Sequence, residues 1–126
     1  MHEQVRFLIV DDYQLARQAL REMVTAHPNW QVVHTAENGQ EAFDLVALLK
    51  PDGVLMDIAM PKMNGLEATY RIKALFPETL IILFSAYADD GFRQGSIDVG
   101  ADYFIQKEKL TAEVLKGILA TFYQFE

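Results

Sequence analysis

An α/β sandwich built on a parallel sheet is the fold class this sequence predicts, and three observations carry it. Apolar runs of strand length alternate five times with amphipathic stretches of helical period along the 126 residues. The principal runs are apolar throughout rather than alternating, which marks strands covered on both faces. Four of them lead into a polar group able to do chemistry: Phe7–Val10 into Asp11-Asp12, Val54–Met56 into Asp57, Leu80–Phe84 into Ser85, and Tyr103–Gln106 into Lys107. In a parallel sheet all of these groups lie at the carboxyl edge, where open α/β sheets bind their ligands.

Val5–Val10 is the first buried strand. A helix follows from Tyr13 to about Ala26, with Leu15, Ala19, Leu20, Met23 and Val24 at helical spacing and Pro28 closing it. Gln31–Thr35 is a shorter second strand. Asn38 followed three residues later by Glu41 has the form of a capping box, and the helix it opens carries Ala42, Leu45, Val46 and Leu49 and stops before Pro51. Asp52–Met56 is the third strand. Asn64 and Glu67 repeat the cap for a helix that ends before Pro77, and Leu80–Phe84 is the fourth strand. A weaker helix, about Asp89 to Val99, has only Phe92, Ile97 and Val99 as apolar anchors, with Gly100 on its carboxyl side. Tyr103–Ile105 is the fifth strand, and Thr111 caps a last helix with Leu115, Ile118, Leu119 and Phe122. Five such β/α pairs predict a flavodoxin-like, doubly wound (βα)5 sandwich with a five-stranded parallel sheet in one domain.

Composition excludes several functions. Apolar residues make up 51% of the chain, too many for a disordered one. A net charge of −7 argues against direct contact with nucleic acid or an anionic membrane surface. There is no cysteine, hence neither a disulfide framework nor a thiolate metal site, which suits a cytoplasmic location. Met1-His2-Glu3-Gln4 lacks the apolar stretch of a signal peptide, and no run approaches the ~20 apolar residues of a spanning helix.

The edge residues define the chemistry. Asp11 and Asp12 alone read as a helix N-cap, a role one of them can also fill. With Asp57 on a neighbouring strand they form three carboxylates that repel one another unless a cation or a proton intervenes. Mg²⁺ suits such a set, because it takes oxygen ligands and keeps several waters. Asp57 could then give one oxygen to the metal and use the other as a nucleophile. Ser85 alone is an ordinary turn serine; in this setting its hydroxyl can donate to a phosphoryl oxygen. Lys107, elsewhere a solvated strand-end residue, faces the acidic cluster and can neutralise it or a bound phosphoryl group. Gly65, with Pro61 and Asn64, shapes a turn.

This constellation closely resembles the receiver domain of two-component response regulators, from Val5 to about Phe122. The pieces are Ile9-Val10-Asp11-Asp12, Glu37-Asn38-Gly39-Gln40-Glu41-Ala42, Met56-Asp57 with the loop to Gly65, Ser85-Ala86, and Gly100-Ala101-Asp102 leading to Lys107. The resemblance implies that Asp57 accepts a phosphoryl group from a sensor histidine kinase. It implies that Asp11, Asp12, Asp57 and the backbone carbonyl of Ala59 hold Mg²⁺, and that Ser85 and Lys107 bind phosphoryl oxygens. Phe104 matches the family's switch aromatic, although plain packing accounts for it equally well. The kinase is expected near the first helix, around Leu15 and Ala19, residues that a core role explains as well. The domain is then a phosphorylation-activated switch and not an enzyme in the usual sense.

One position departs from the pattern. Most receivers have proline after the Lys107 equivalent, often through a cis bond; here it is Glu108, and a cis bond to a non-proline costs roughly 2.5–4 kcal/mol. A trans or strained loop is expected. An acidic residue here is frequent in receivers of LuxR-type regulators, which hints at a helix-turn-helix output domain outside residues 1–126. A stand-alone regulator and a phosphate-independent interaction module are the alternatives. Ala59 and Tyr87, two residues past Asp57 and Ser85, sit where the family tunes dephosphorylation. A dehalogenase-like phosphohydrolase would need Asp at Ala59, and a nucleotide carrier would need a Gly-rich loop where Asp11-Asp12-Tyr13 stands. His2, His27 and His34 lack metal-ligand spacing. Trp30, Met56, Met60 and Met63 read as packing residues. The apolar tail Phe122-Tyr123-Gln124-Phe125 either packs on the core or meets another domain or a second copy in a homodimer.

Overall fold

Five parallel strands in the order β2-β1-β3-β4-β5 form the centre of the computed structural model, which describes residues 4–86 and 90–123. The strands are β1 (Val5–Val10), β2 (Trp30–Ala36), β3 (Gly53–Asp57), β4 (Leu80–Ser85) and β5 (Tyr103–Gln106). Between and after them run α1 (Gln14–Thr25), α2 (Gly39–Leu49), α3 (Gly65–Leu75), α4 (Asp90–Asp98) and α5 (Ala112–Tyr123), with a 3-10 turn at Lys107–Lys109. The chain moves outward from β1 to β2, then returns across β1 to build β3, β4 and β5. The order therefore reverses between β1 and β3, the position at which doubly wound sheets open a crevice.

The continuous apolar strands are explained by two cores. Phe7 and Ile9 of β1 face a cluster with Leu20 and Val24 of α1 and Leu115 and Leu119 of α5. Leu8 and Val10 face the opposite cluster, with Ala42 and Val46 of α2 and Ala68 and Ile72 of α3. Successive side chains of a strand point to opposite faces, so a strand buried on both sides has no place for polar residues. Trp30 is buried, stacked on His27 at 4.0 Å and edge-on to Phe7 at 6.1 Å. Met56 and Met63 are buried and Met60 packs beside them. No helix among the described residues is long and apolar enough to cross a membrane.

Several boundaries shift for identifiable reasons. β2 extends one residue past each end of Gln31–Thr35, because Trp30 pairs with Val5 and Ala36 with Val10. Asp52 lies before β3 instead of opening it, and its carboxylate accepts the Arg6 N–H at 2.8 Å. Ser85 and Gln106 close β4 and β5 as paired residues. Neither Asp11 nor Asp12 caps α1: Tyr13 holds the N-cap position without a side-chain bond, and Asp11 Oδ1 accepts the Tyr13 N–H at 3.0 Å. The Asn38 and Asn64 caps form, each accepting at 2.9 Å, from Glu41 and Glu67 N–H respectively. The boxes do not close: Glu41 reaches the Glu37 N–H, and Glu67 pairs with Arg71. Thr111 Oγ1 accepts the Val114 N–H at 3.2 Å.

Three predicted anchors are not in the core. Leu15 is 62% exposed, Ile97 is 64% exposed, and Ala19 is also on the surface. α1 is held by Leu20 and Val24, and the buried residue of α4 is Ser96, whose hydroxyl donates to the Phe92 carbonyl. The predicted start of α4 at Asp89, Tyr87, His2 and the last residues Gln124 and Phe125 lie outside the described residues. Phe122 and Tyr123 pack against the α1/α5 core, and the Tyr123 hydroxyl donates to the Asp52 carbonyl at 3.4 Å.

Two leucines test this assignment of faces. Leu55 is fully buried in β3, whereas Leu48 of α2 is 75% exposed. Chemical denaturation is expected to show Leu55→Ala losing about 2–5 kcal/mol and Leu48→Ala changing stability by less than about 0.5 kcal/mol.

Candidate functional site

The paired strands β1 and β3 deliver the carboxylates. Val10 lies opposite Met56, so the next residues, Asp11 and Asp57, emerge side by side at the carboxyl edge. Asp11 is 1% exposed, Asp57 is half-buried and Asp12 is exposed. One oxygen from each of the three lies within 4.8 Å of the others, the only such group of possible metal ligands among the described residues. Its donors are all carboxylate oxygens, which fits a hard divalent cation and suits neither zinc nor copper as well.

Lys107 reaches this cluster. Its Nζ lies 2.8 Å from Asp11 Oδ2 and 5.3 Å from the centre of the Phe84 ring. All described peptide bonds, including that to Glu108, are trans. Ser85 ends β4, fully buried, on the strand beside β3 and one position beyond the residue that pairs with Asp57. Phe104 sits half-buried on β5 against the α2/α3 core, with the Arg93 guanidinium carbon 5.0 Å above its ring. Ala59 is exposed, and its backbone N–H donates to the Asp57 carboxylate.

Electrostatics single out Asp57. Burial pushes its pKa from 3.8 up to about 6, and the neighbouring Asp11 adds to this; Lys107 and the Ala59 N–H oppose it, while Asp12 pushes the same way as Asp11. The carboxylate is thus short of compensating positive charge, a condition that a cation would relieve.

The loop after Asp57 is closed by backbone contacts. Ile58 N–H donates to the Phe84 carbonyl at 3.1 Å, and Gly65 N–H to the Ile58 carbonyl at 2.9 Å. A Cβ at Gly65 would overlap the Asp57 carbonyl oxygen, so this glycine is required for close approach and does more than shape a turn.

One contact was not apparent from the sequence. Arg17 donates from Nη1 to the Asp11 carbonyl at 2.8 Å, bracing the loop that carries Asp11 and Asp12. Its only signal is a basic residue one turn into a helix that follows an acidic loop. Beside the site, a groove of about 410 Å³ lies between α1 and the start of α5. Ala16, Ala19, Leu20, Met23, Lys107 and Leu110 line most of it. His27 accepts the Asn29 N–H through Nδ1, and His34 Nδ1 meets the Thr35 backbone.

Comparison with known proteins bears on the family and the fold. Residues 7–119 match the family model of the response regulator receiver domain. The transcriptional regulatory protein DegU of Brevibacillus brevis is 34% identical over 113 residues, covering 86% of this chain and 48% of that protein. The response regulator GacA of Pseudomonas viridiflava is 33% identical, covering 94% of this chain and 55% of that one. The chain spans about half the length of these two relatives. Among solved structures, a LuxR-family two-component response regulator from Aurantimonas sp. SI85-9A1 superposes with a TM-score of 0.87 at 28% identity, covering 96% of this chain and 86% of that one. The response regulator domain of Thermotoga maritima CheB gives 0.80 at 33% identity, covering 96% and 95%.

The charge on Asp57 has a measurable effect on stability. An unfolded chain holds this carboxyl at 3.8 and the folded chain at about 6, so folding favours the protonated form. The penalty is fully present above pH 6, shrinks as pH falls through 6, and is gone below 3.8. Asp57→Asn is therefore expected to melt above the wild type at about pH 8 without divalent cation, and the gap should close near pH 3.8. Thermal melts across that range check it; a gap independent of pH would contradict the assignment.

Proposed function

The chain belongs to the response regulator receiver domain family, and on that premise we propose that it is a phosphorylation-driven signalling switch with Asp57 as phosphoacceptor. The observation that carries the reading is the half-buried Asp57 carboxylate, set beside Asp11 and Asp12 and held far above the usual carboxylate range. In its ionised form one Asp57 oxygen attacks the phosphorus of a phosphohistidine on a sensor histidine kinase. A new O–P bond forms, the P–N bond breaks, and the imidazole leaves. Asp11, Asp12, Asp57 and the Ala59 carbonyl would hold Mg²⁺, which would supply the positive charge that screens carboxylate from phosphate.

The remaining work falls to the chain's own residues. Lys107, paired with Asp11 at 2.8 Å, is positioned to share its ammonium with the phosphoryl oxygens. Ser85 offers a hydroxyl donor from the end of β4. The modification adds about −1.5 to −2 charges and three acceptor oxygens. Ser85 ends β4 and Lys107 directly follows β5, so the change is read out by α4, β5 and α5. Phe104 turns inward as Ser85 moves, leaving the Arg93 guanidinium. The thin anchoring of α4, with Ile97 exposed and Ser96 as its buried residue, leaves that face free to rearrange.

The kinase docks on α1, where Leu15 is exposed and the groove past Ala16 and Ala19 leads to Lys107. Residues 1–126 act as one receiver unit in the cytoplasm. Their output is a helix-turn-helix DNA-binding domain, as the likeness to LuxR-family regulators suggests. The domain turns over only its own aspartyl phosphate and is no enzyme in the usual sense.

Incubation with an acyl-phosphate donor and Mg²⁺, followed by intact-mass measurement, tests the assignment. The wild type is expected to gain one phosphoryl group and Asp57→Ala none. Lys107→Ala should react more slowly by roughly a hundredfold, the size of losing one donor to a developing charge. A phosphoryl group on Asp57→Ala would refute the choice of acceptor.

A further inference from the structure

We propose that Gly39, the first residue of α2, is a positioning residue for the phosphoacceptor loop, an inference that rests on the switch reading above. A glycine at a helix start is usually explained by backbone freedom, but Gly39 is not in the left-handed region, where Gly100 is the only glycine among the described residues. Space explains it instead. A Cβ there would overlap the Met63 carbonyl oxygen and come within 2.9 Å of the Met63 carbonyl carbon and 3.0 Å of the Asn64 carbonyl oxygen. All three are backbone atoms and cannot rotate away. At the same point the Gly39 N–H donates to the Met63 carbonyl at 2.8 Å.

The contact lies at the far end of the loop that begins at Asp57. Met63 is buried beside Ile58 and Ala42, and Lys62, just before it, has a left-handed φ of 67°. A non-glycine residue holds that conformation only when its surroundings fix it. Gly65 pins the loop at Asp57 and Ile58, and Gly39 pins it at Met63. Between the two pins lies Ala59, whose N–H already meets the Asp57 carboxylate. Gly39 therefore acts through the loop backbone on Ala59 and Asp57 without touching either.

The test compares Gly39→Ala with Asn38→Ala. Asn38→Ala removes the α2 cap, in which Asn38 Oδ1 accepts the Glu41 N–H, but leaves the Met63 contact intact. Gly117→Ala, with nothing within 4 Å of its added Cβ, controls for glycine replacement in a helix. Calorimetric titration with MgCl2 is expected to show Gly39→Ala weakened roughly 10- to 100-fold, the range for loss of an outer support of a metal ligand. The other two variants should match the wild type in affinity even where Asn38→Ala melts earlier. Equal affinity in Gly39→Ala and wild type would overturn the inference. So would a loss that Asn38→Ala shares in proportion to its stability. If Gly39→Ala does not fold, the wild-type Gly39 amide resonance decides: it must shift on MgCl2 addition with the same midpoint as Ala59, and an unmoved resonance overturns the proposal. A wild type that binds no Mg²⁺ would instead refute the switch reading beneath it.

Discussion

Three carboxylates forced together at the ends of two adjacent strands set the terms for the rest of this domain. Ladder pairing of β1 with β3 fixes where Asp11 and Asp57 emerge, and the chain places Asp12 next in line. Ionised oxygens this close in a half-buried site repel by an amount comparable to a few tenths of a small domain's whole stability. The sheet tolerates the arrangement because Lys107 reaches Asp11 and the Ala59 N–H meets Asp57. Those two contacts leave Asp57 still raised to about 6, so the resting site retains a demand for positive charge.

The two halves of the molecule answer that demand differently. On the α2/α3 side the backbone is locked, with glycines at 39 and 65 allowing contacts that no side chain would permit. Those contacts fix the backbone on either side of Ala59. On the α4 side, the helix has one buried residue, a serine, and β5 is an edge strand half-buried throughout. Rigid chemistry beside a loosely held reporting surface is the division a switch requires, since ligand-responsive elements come from the low-stability end of a fold.

The fold and the carboxyl-edge cluster were readable because both depend on local pattern. Strand-length apolar runs imply double coverage, and the residue ending each run must lie at the edge. Asp11, Asp12, Asp57 and Lys107 were found in that way, and the structure brings them together. Ser85 is on the adjacent strand end, as the same pattern requires. Features that depend on contacts between distant segments were not readable. Periodicity identified Leu15 as an α1 anchor, but it cannot tell the covered face from the open one. The Lys73–Asp102 ion pair at 2.8 Å, the Arg17 bond to the Asp11 carbonyl and the Gly39–Met63 contact join segments with no shared sequence signal. Capping was misread at α1 because an Asp before a helix can bind the N–H of the second residue on, as Asp11 does with Tyr13, without occupying the N-cap position.

Membership of the receiver family accounts for the sheet order and the edge cluster together. Binding of one divalent cation by Asp11, Asp12 and Asp57 is what the proposed switch requires first. Mn²⁺ shares the octahedral oxygen preference of Mg²⁺ and broadens nearby nuclear resonances. A titration of the isotope-labelled chain with Mn²⁺ is therefore the most direct test. Early broadening of amides at residues 11, 12, 57 and 59 is expected, reversed by excess Mg²⁺, with α2 residues such as Leu48 unaffected. Broadening centred elsewhere, or none at these residues, would contradict it.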